Sequence, residues 1–205
     1  LAYVVHMVSQ FVSTPHSNHW ATLVRILRYL RGTIFQDLLL SSTSSLDLVA
    51  YADSDWAGEV TDRKSTSSFC MFLGYSLISW KSKKQSVVAR ASTEAEYRAM
   101  AHTTAELVWL RCLLSDLDVP QSSPTSLYCD NRSAAQIAHN TVFHERTKHI
   151  EIDCHFVRQH LQFASISLSF IPSALQLTNF FTKTHTTAWF QFLLSKLSVF
   201  SAKTL

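Results

Sequence analysis

The sequence predicts an α/β fold, a mixed sheet flanked by helices and preceded by a helical extension, on three observations. Apolar residues recur at helical spacing over the first 31 residues, the period shortens to that of strands across 46–81, and helices alternate with strands from residue 93 onward. A chain of 205 residues with 47% hydrophobic and 16% charged content can also bury a core, which excludes a disordered tail.

The elements follow in order. Val4, Val5, Val8, Phe11 and Val12 form one helical stripe over 1–12, and Leu23, Ile26, Leu27 and Leu30 form a second over 18–31. Pro15 separates the two, Ser17 or Asn18 can cap the second, and Gly32 is expected to stop it. Residues 41–45, Ser-Ser-Thr-Ser-Ser, carry no core-forming side chain and read as a linker between domains. Strands are expected over 46–53, 67–73 and 77–81, with Gly58 and Gly74 in the turns between them. The long helix expected over 93–117 carries an apolar stripe through Tyr97, Met100, Ala101, Leu107, Leu110, Leu113 and Leu114. A strand over 126–129, helices over 133–139 and 148–163, and a strand over 165–171 come next. Helices over 174–181 and 187–197 complete the chain.

Composition limits the function classes. The formal net charge of +3 and pI near 8.7 suit contact with phosphates without proving it. Cys70, Cys112, Cys129 and Cys154 are widely spread among apolar neighbours, with no C-x-x-C pair, and read as reduced, buried thiols of an intracellular protein. No apolar run reaches the roughly 18 residues of a membrane span, and no signal sequence opens the chain. The opening residues lie inside an apolar-periodic stretch without an initiating Met, as in a piece of a longer product. The five tryptophans, Trp109 in the long helix among them, are assigned to the core rather than to base stacking.

Acidic residues number 15, so acids at the tips of apolar strands are informative. Asp53 closes the run from Leu46 and Asp130 closes Leu127-Tyr-Cys, while Glu96 is expected in the first turn of the long helix after a Ser92-Thr93 cap, where a carboxylate interacts well with the helix dipole. A carboxylate at a buried strand tip faces desolvation and like-charge repulsion, a conflict that a cation removes. If the helix start packs above both tips, three hard oxygen donors converge on one shallow site that suits Mg²⁺. The alternative for the same residues is structural, with Asp53 and Asp130 as turn residues and Glu96 as a cap partner.

Six motifs in order then carry a family resemblance: Tyr51-Ala-Asp-Ser-Asp-Trp-Ala-Gly58, Asp62-Arg-Lys-Ser-Thr-Ser67, Ile78-Ser-Trp-Lys-Ser-Lys-Lys-Gln85, Ser92-Thr-Glu-Ala-Glu-Tyr97, Leu127-Tyr-Cys-Asp-Asn-Arg-Ser133 and His144-Glu-Arg-Thr-Lys-His-Ile150. Together they resemble the ribonuclease H domain of Ty1/copia retroelements. The resemblance covers 46–183, with residues 1–40 similar to the tail of the preceding reverse transcriptase and 184–205 left as a C-terminal helix and tail. It implies a five-stranded mixed sheet with helices on both faces, and Mg²⁺-dependent cutting, with Mn²⁺ as a possible substitute, of the RNA strand in an RNA–DNA hybrid. It also implies the upstream reverse transcriptase as a partner, and a cytoplasmic location in virus-like particles. Asp53, Glu96 and Asp130 are the implied metal ligands, with Asp55 and Glu94 ranked below them. The fourth carboxylate of the family falls within Gln176-Leu-Thr-Asn-Phe-Phe-Thr-Lys183, where this chain has Asn179; the loss of that charge predicts weakened metal binding and reduced activity.

Two further departures remove glycines that the family carries: Ser68, and the turn Phe163-Ala-Ser165. Both are expected to cost stability if the backbone there needs positive φ. Lys81, Lys83 and Lys84 beside Trp80 are either a solvated charge run or a contact with hybrid phosphates. Ser92, Thr93 and Asn131 can contact the RNA strand, whose 2′-OH distinguishes it from DNA. His144, His149, Cys154 and His155 fit none of the recurrent zinc spacings.

Overall fold

The structure is a computed structural model that describes residues 1–58, 61–140 and 149–201. It divides into two compact units, one of residues 1–38 with 199–205 and one of 39–198.

In the smaller unit, helices α1 (Ala2–Ser9) and α2 (Ser17–Thr33) accompany an antiparallel pair of three-residue strands, β1 (Gln36–Leu38) and β7 (Val199–Ser201). These two strands are too short for a period to reveal them. The cap of α2 is His16, whose backbone N–H donates to His19 Nδ1 at 3.1 Å; Ser17, expected as a cap, is instead the first helical residue. Nor does Gly32 stop the helix. It lies inside α2 with right-handed geometry, and the helix ends one residue later.

The larger unit is built on a five-stranded sheet of order β4-β3-β2-β5-β6. Its strands are β2 (Leu48–Ser54), β3 (Thr66–Leu73), β4 (Ser76–Lys84), β5 (Thr125–Cys129) and β6 (Ile166–Phe170). The first three are joined antiparallel, and β2 runs parallel to β5, as β5 does to β6. This is the ribonuclease H-like mixed sheet that the resemblance implies. Strand alternation sets the layers: Leu48, Ala50 and Ala52 are buried under helix α3 (Ser92–Asp116), while Val49 and Tyr51 point to the other face and are half-buried. The small side chains at 50 and 52 let the helix approach, and Tyr97, Met100, Leu107, Leu110 and Leu114 fill the space between the layers. Leu113, expected in that stripe, is exposed. Helices α4 (Arg132–His139) and α5 (Glu151–Gln162) pack on the β6 side, burying Ala134, Ala138, Cys154 and Val157.

Other expectations are corrected. β4 runs on to Lys84 because Lys81 and Lys83 pair with Phe69 and Ser67 of β3. The helix expected over 174–181 breaks into a 3-10 turn, Ser173–Leu175, and a single helical turn, α6 (Asn179–Thr182). Between them Gln176 leaves helical geometry, at ψ 105°, and its buried side chain donates from Nε2 to the Ala52 carbonyl at 2.9 Å. Helix α7 (Thr187–Lys196) follows, capped by Thr186 Oγ1. Trp20, Trp56, Trp80 and Trp109 are exposed and do not serve the core; Trp109 sits on the outer face of α3. All four cysteines are free, but Cys112 is exposed rather than buried. His144 and the helix start expected near Lys148 lie outside the described residues.

Candidate active site

Strand register creates the site. The parallel pairing of β2 and β5 sets Ala52 beside Cys129, so the next residues, Asp53 and Asp130, are neighbours at one edge of the sheet. Their side chains take different environments. Asp53 is 1% exposed, whereas Asp130 is half-buried. Glu96, 7% exposed, enters from α3. It lies beyond the first turn, which holds Glu94, and the N-cap is Ala91 rather than Ser92 or Thr93. Gln85 fixes the helix start against the sheet, donating from Nε2 to the Ala95 carbonyl at 3.0 Å and to Ser67 Oγ at 2.8 Å.

Among the described residues, Glu96, Cys129 and Asp130 each offer a donor atom within 4.8 Å of the others. Asp53 stands beside this set and acts on it electrostatically. Burial, together with repulsion from Asp53 and Asp130, pushes the Glu96 carboxyl up to about 9. Burial also raises Asp53, against the lowering effects of a hydrogen bond from Thr182 and the nearby Lys183 ammonium. Two carboxylate oxygens in the site, Asp53 Oδ1 and Glu96 Oε2, are buried with no hydrogen-bond partner. Buried acceptors without a hydrogen-bond partner, crowded by other carboxylates and offset only by the nearby Lys183 ammonium, are costly in the metal-free protein and are what a divalent cation with oxygen preference would satisfy. The Cys129 thiol is held well above its ordinary range by burial and accepts from the Asn131 amide at 3.4 Å, a structural use of the sulfur.

The C-terminal segment closes the site, adding Ser173, Thr182 and Lys183, to which the sequence assigns no role, to the expected Asn179. Thr182 Oγ1 donates to Asp53 Oδ2, and Ser173 Oγ donates to Asp130 Oδ2 at 2.6 Å. Asn179, 5% exposed at the start of α6, joins them: its Nδ2 donates to the Ser173 carbonyl at 2.7 Å and its Oδ1 accepts from Lys183 Nζ. Lys183 Nζ also lies 3.9 Å from Asp53 Oδ1. Asp53, Glu96, Asp130 and Asn179 are thus brought into one connected group. The lower-ranked acids have structural work. Asp55 Oδ1 accepts from the Thr66 amide, and Glu94 accepts from the Arg90 amide at 2.7 Å and Arg98 Nη2 at 2.8 Å, with His149 Nε2 at 3.1 Å.

The remaining candidates are placed apart or serve the fold. Asn131 Oδ1 caps α4 through the Ala134 amide at 2.9 Å, Ser92 is exposed and Thr93 half-buried. Lys81, Lys83 and Lys84 are exposed along β4, where with His102 and Glu106 they line a groove of about 360 Å³; Lys84 also pairs with Asp62 at 3.0 Å. His155 is exposed and Cys154 buried, and among the described residues neither belongs to a close group of metal-ligating side chains.

Against known proteins, no family model matches the chain. It is 42% identical over 199 residues to the retrovirus-related Pol polyprotein from transposon RE2 of Arabidopsis thaliana, covering 97% of this chain and 14% of that protein. It is 38% identical over 168 residues to the Pol polyprotein from transposon TNT 1-94 of Nicotiana tabacum, covering 82% of this chain and 12% of that one. The chain therefore spans about one seventh of the length of such relatives. Among solved structures, the N-terminal RNase H domain of Rv2228c from Mycobacterium tuberculosis overlays at a TM-score of 0.47 and 10% identity, over 74% of this chain and 98% of that one.

Proposed function

We propose, given that this chain belongs to the retrovirus-related Pol polyproteins of copia-type transposons, that its larger unit is a ribonuclease H segment of such a polyprotein. Its activity would be hydrolysis of the RNA strand of an RNA–DNA hybrid, with Mg²⁺, or Mn²⁺ in its place, held by Asp53, Glu96 and Asp130. The observation that carries the reading is the pair of orphaned, buried oxygens, Asp53 Oδ1 and Glu96 Oε2, beside Asp130 at the sheet edge. A divalent cation bound there supplies a Lewis acid for the scissile phosphate and lowers the pKa of an attacking water.

The chain's own groups set the conditions. Thr182 and Ser173 fix one oxygen of Asp53 and one of Asp130, which leaves the other oxygen of each for the cation. Lys81, Lys83 and Lys84 offer the hybrid backbone a positive groove, a contact that weakens with salt. Ser92 and Thr93, with the Asn131 amide group, are the polar groups available to the RNA strand. The upstream reverse transcriptase supplies the hybrid, and the place of action is a cytoplasmic particle.

With Asn179 in place of a carboxylate, the nuclease is impaired. A second reading, a remnant that binds hybrid and does not cut, is favoured by one observation: Asn179 Oδ1 is already engaged by Lys183. Cleavage of a labelled RNA–DNA hybrid in Mg²⁺ and in Mn²⁺ separates the two. The expected result is slow cleavage by the native chain, abolished in Asp53→Asn and raised in Asn179→Asp, whose new charge draws Lys183 off Asp53. Hybrid binding without cleavage, in the native chain and in Asn179→Asp alike, would establish the remnant.

A further inference from the structure

Resting on the cation-site reading above, we infer that this site takes a single divalent ion, because the Lys183 ammonium is its resident second cation. The argument begins with Asn179. Its Oδ1 accepts from Lys183 Nζ and its Nδ2 donates to the Ser173 carbonyl at 2.7 Å. Turning the amide over would set nitrogen against ammonium and oxygen against carbonyl, so only one orientation satisfies both partners. The backbone carbonyl of Asn179 is also engaged, by His185 Nε2 at 2.8 Å. Asn179 therefore offers a second ion neither charge nor a spare side-chain group, and the segment around it is fitted to an amide.

Lys183 reaches from Asn179 Oδ1 toward Asp53 Oδ1, 3.9 Å away. Once an ion has displaced the Glu96 proton, the three carboxylates, the Lys183 ammonium and the neutral Asn179 leave two negative charges, which one divalent ion balances. The oxygens agree with that count. Thr182 holds Asp53 Oδ2 and Ser173 holds Asp130 Oδ2, so Glu96 Oε2 and the other Asp130 oxygen remain in the close cluster for one small ion, with the buried Asp53 Oδ1 beside it, between that ion and Lys183.

The test counts ions rather than turnover: Mn²⁺ binding to the full chain, followed by calorimetry and by the electron paramagnetic resonance of free Mn²⁺. One ion per native chain is expected. Lys183→Met removes a positive charge beside the site and still binds one ion, about tenfold more tightly by the Coulomb energy of charges some 5 Å apart in water. Its side chain is 46% exposed, so the truncation spares the core. Lys183→Arg keeps the charge and the native affinity, which separates lost charge from altered packing. Asn179→Asp with Lys183→Met restores the fourth carboxylate and binds two ions. Two ions on the native chain, or unchanged affinity in Lys183→Met, would overturn the role of Lys183 while leaving the cation site standing. No ion on the native chain would overturn the cation-site reading itself.

Discussion

Ala164→Gly should make the protein more stable, although it removes a side-chain atom and adds chain entropy. Ala164 follows the C-cap of α5 at φ 53°, in the left-handed region. Its amide donates to the Leu161 carbonyl at 3.1 Å and the Ser165 amide to the His160 carbonyl at 3.0 Å, the pair of bonds that closes a helix through a left-handed residue. That backbone costs an L-residue roughly 1–2 kcal/mol, and glycine escapes the cost. Ala164 is exposed, so its methyl group buries nothing that glycine would forfeit. Against the relief stands the larger conformational freedom of glycine in the unfolded chain, about 0.4–1 kcal/mol. The net gain should be about 0.5–1 kcal/mol, or about 2 °C in melting temperature for a unit of this size. Ser68→Gly is the matched control. Ser68 lies in β3, paired with Asp53 and Ser82, outside the positive-φ set and fully buried, so glycine there should cost about 1 kcal/mol. Urea denaturation of the two variants reads both effects. A loss of stability in Ala164→Gly, or a gain in Ser68→Gly, would refute the reasoning.

Two other predictions concern the buried acid and the loop that follows the long helix. In metal-free buffer Glu96 keeps its proton to about pH 9 in the folded chain and loses it near its ordinary 4.5 when unfolded. Its contribution to stability is therefore complete below about 4.5 and is lost as pH rises toward 9, with a slope of up to about 1.4 kcal/mol per pH unit. Denaturation midpoints between pH 5 and 8.5 should fall in the native chain and flatten in Glu96→Gln; equal slopes would show that Glu96 is ionised throughout. Arg111 ties the loop after α3 to β5 through the Gln121 carbonyl at 2.8 Å, the Ser123 carbonyl at 2.9 Å and Thr125 Oγ1 at 2.7 Å. Arg111→Met should lower stability by about 2 kcal/mol in the same denaturation assay, because three acceptors lose a charged donor at once.

Local pattern determined much of this protein. Two-residue alternation marks β2, and the 3.6-residue stripe marks α3, because each period reports which face is buried and needs no knowledge of the partner. Apolar runs ending in Asp53 and Asp130 marked the strand tips for the same reason. The motif order carries the family, and Asn179 is legible as a missing charge in the sequence alone. The cap at His16, the helix passing through Gly32 and the exposed tryptophans were not legible, since propensity is weak where packing is free to choose. Ser68 and Ala164 looked alike as lost glycines, and only backbone φ told them apart. The oxygen-by-oxygen arrangement of the site was hidden most deeply. Thr182 meets Asp53 across 129 residues of sequence, Gln176 meets Ala52 across 124, and Ser173 meets Asp130 across 43. A sequence states which side chains carry charge through their chemistry alone; which oxygen remains for an ion depends on distances that exist only once the sheet has closed and the C-terminal segment has docked against its edge.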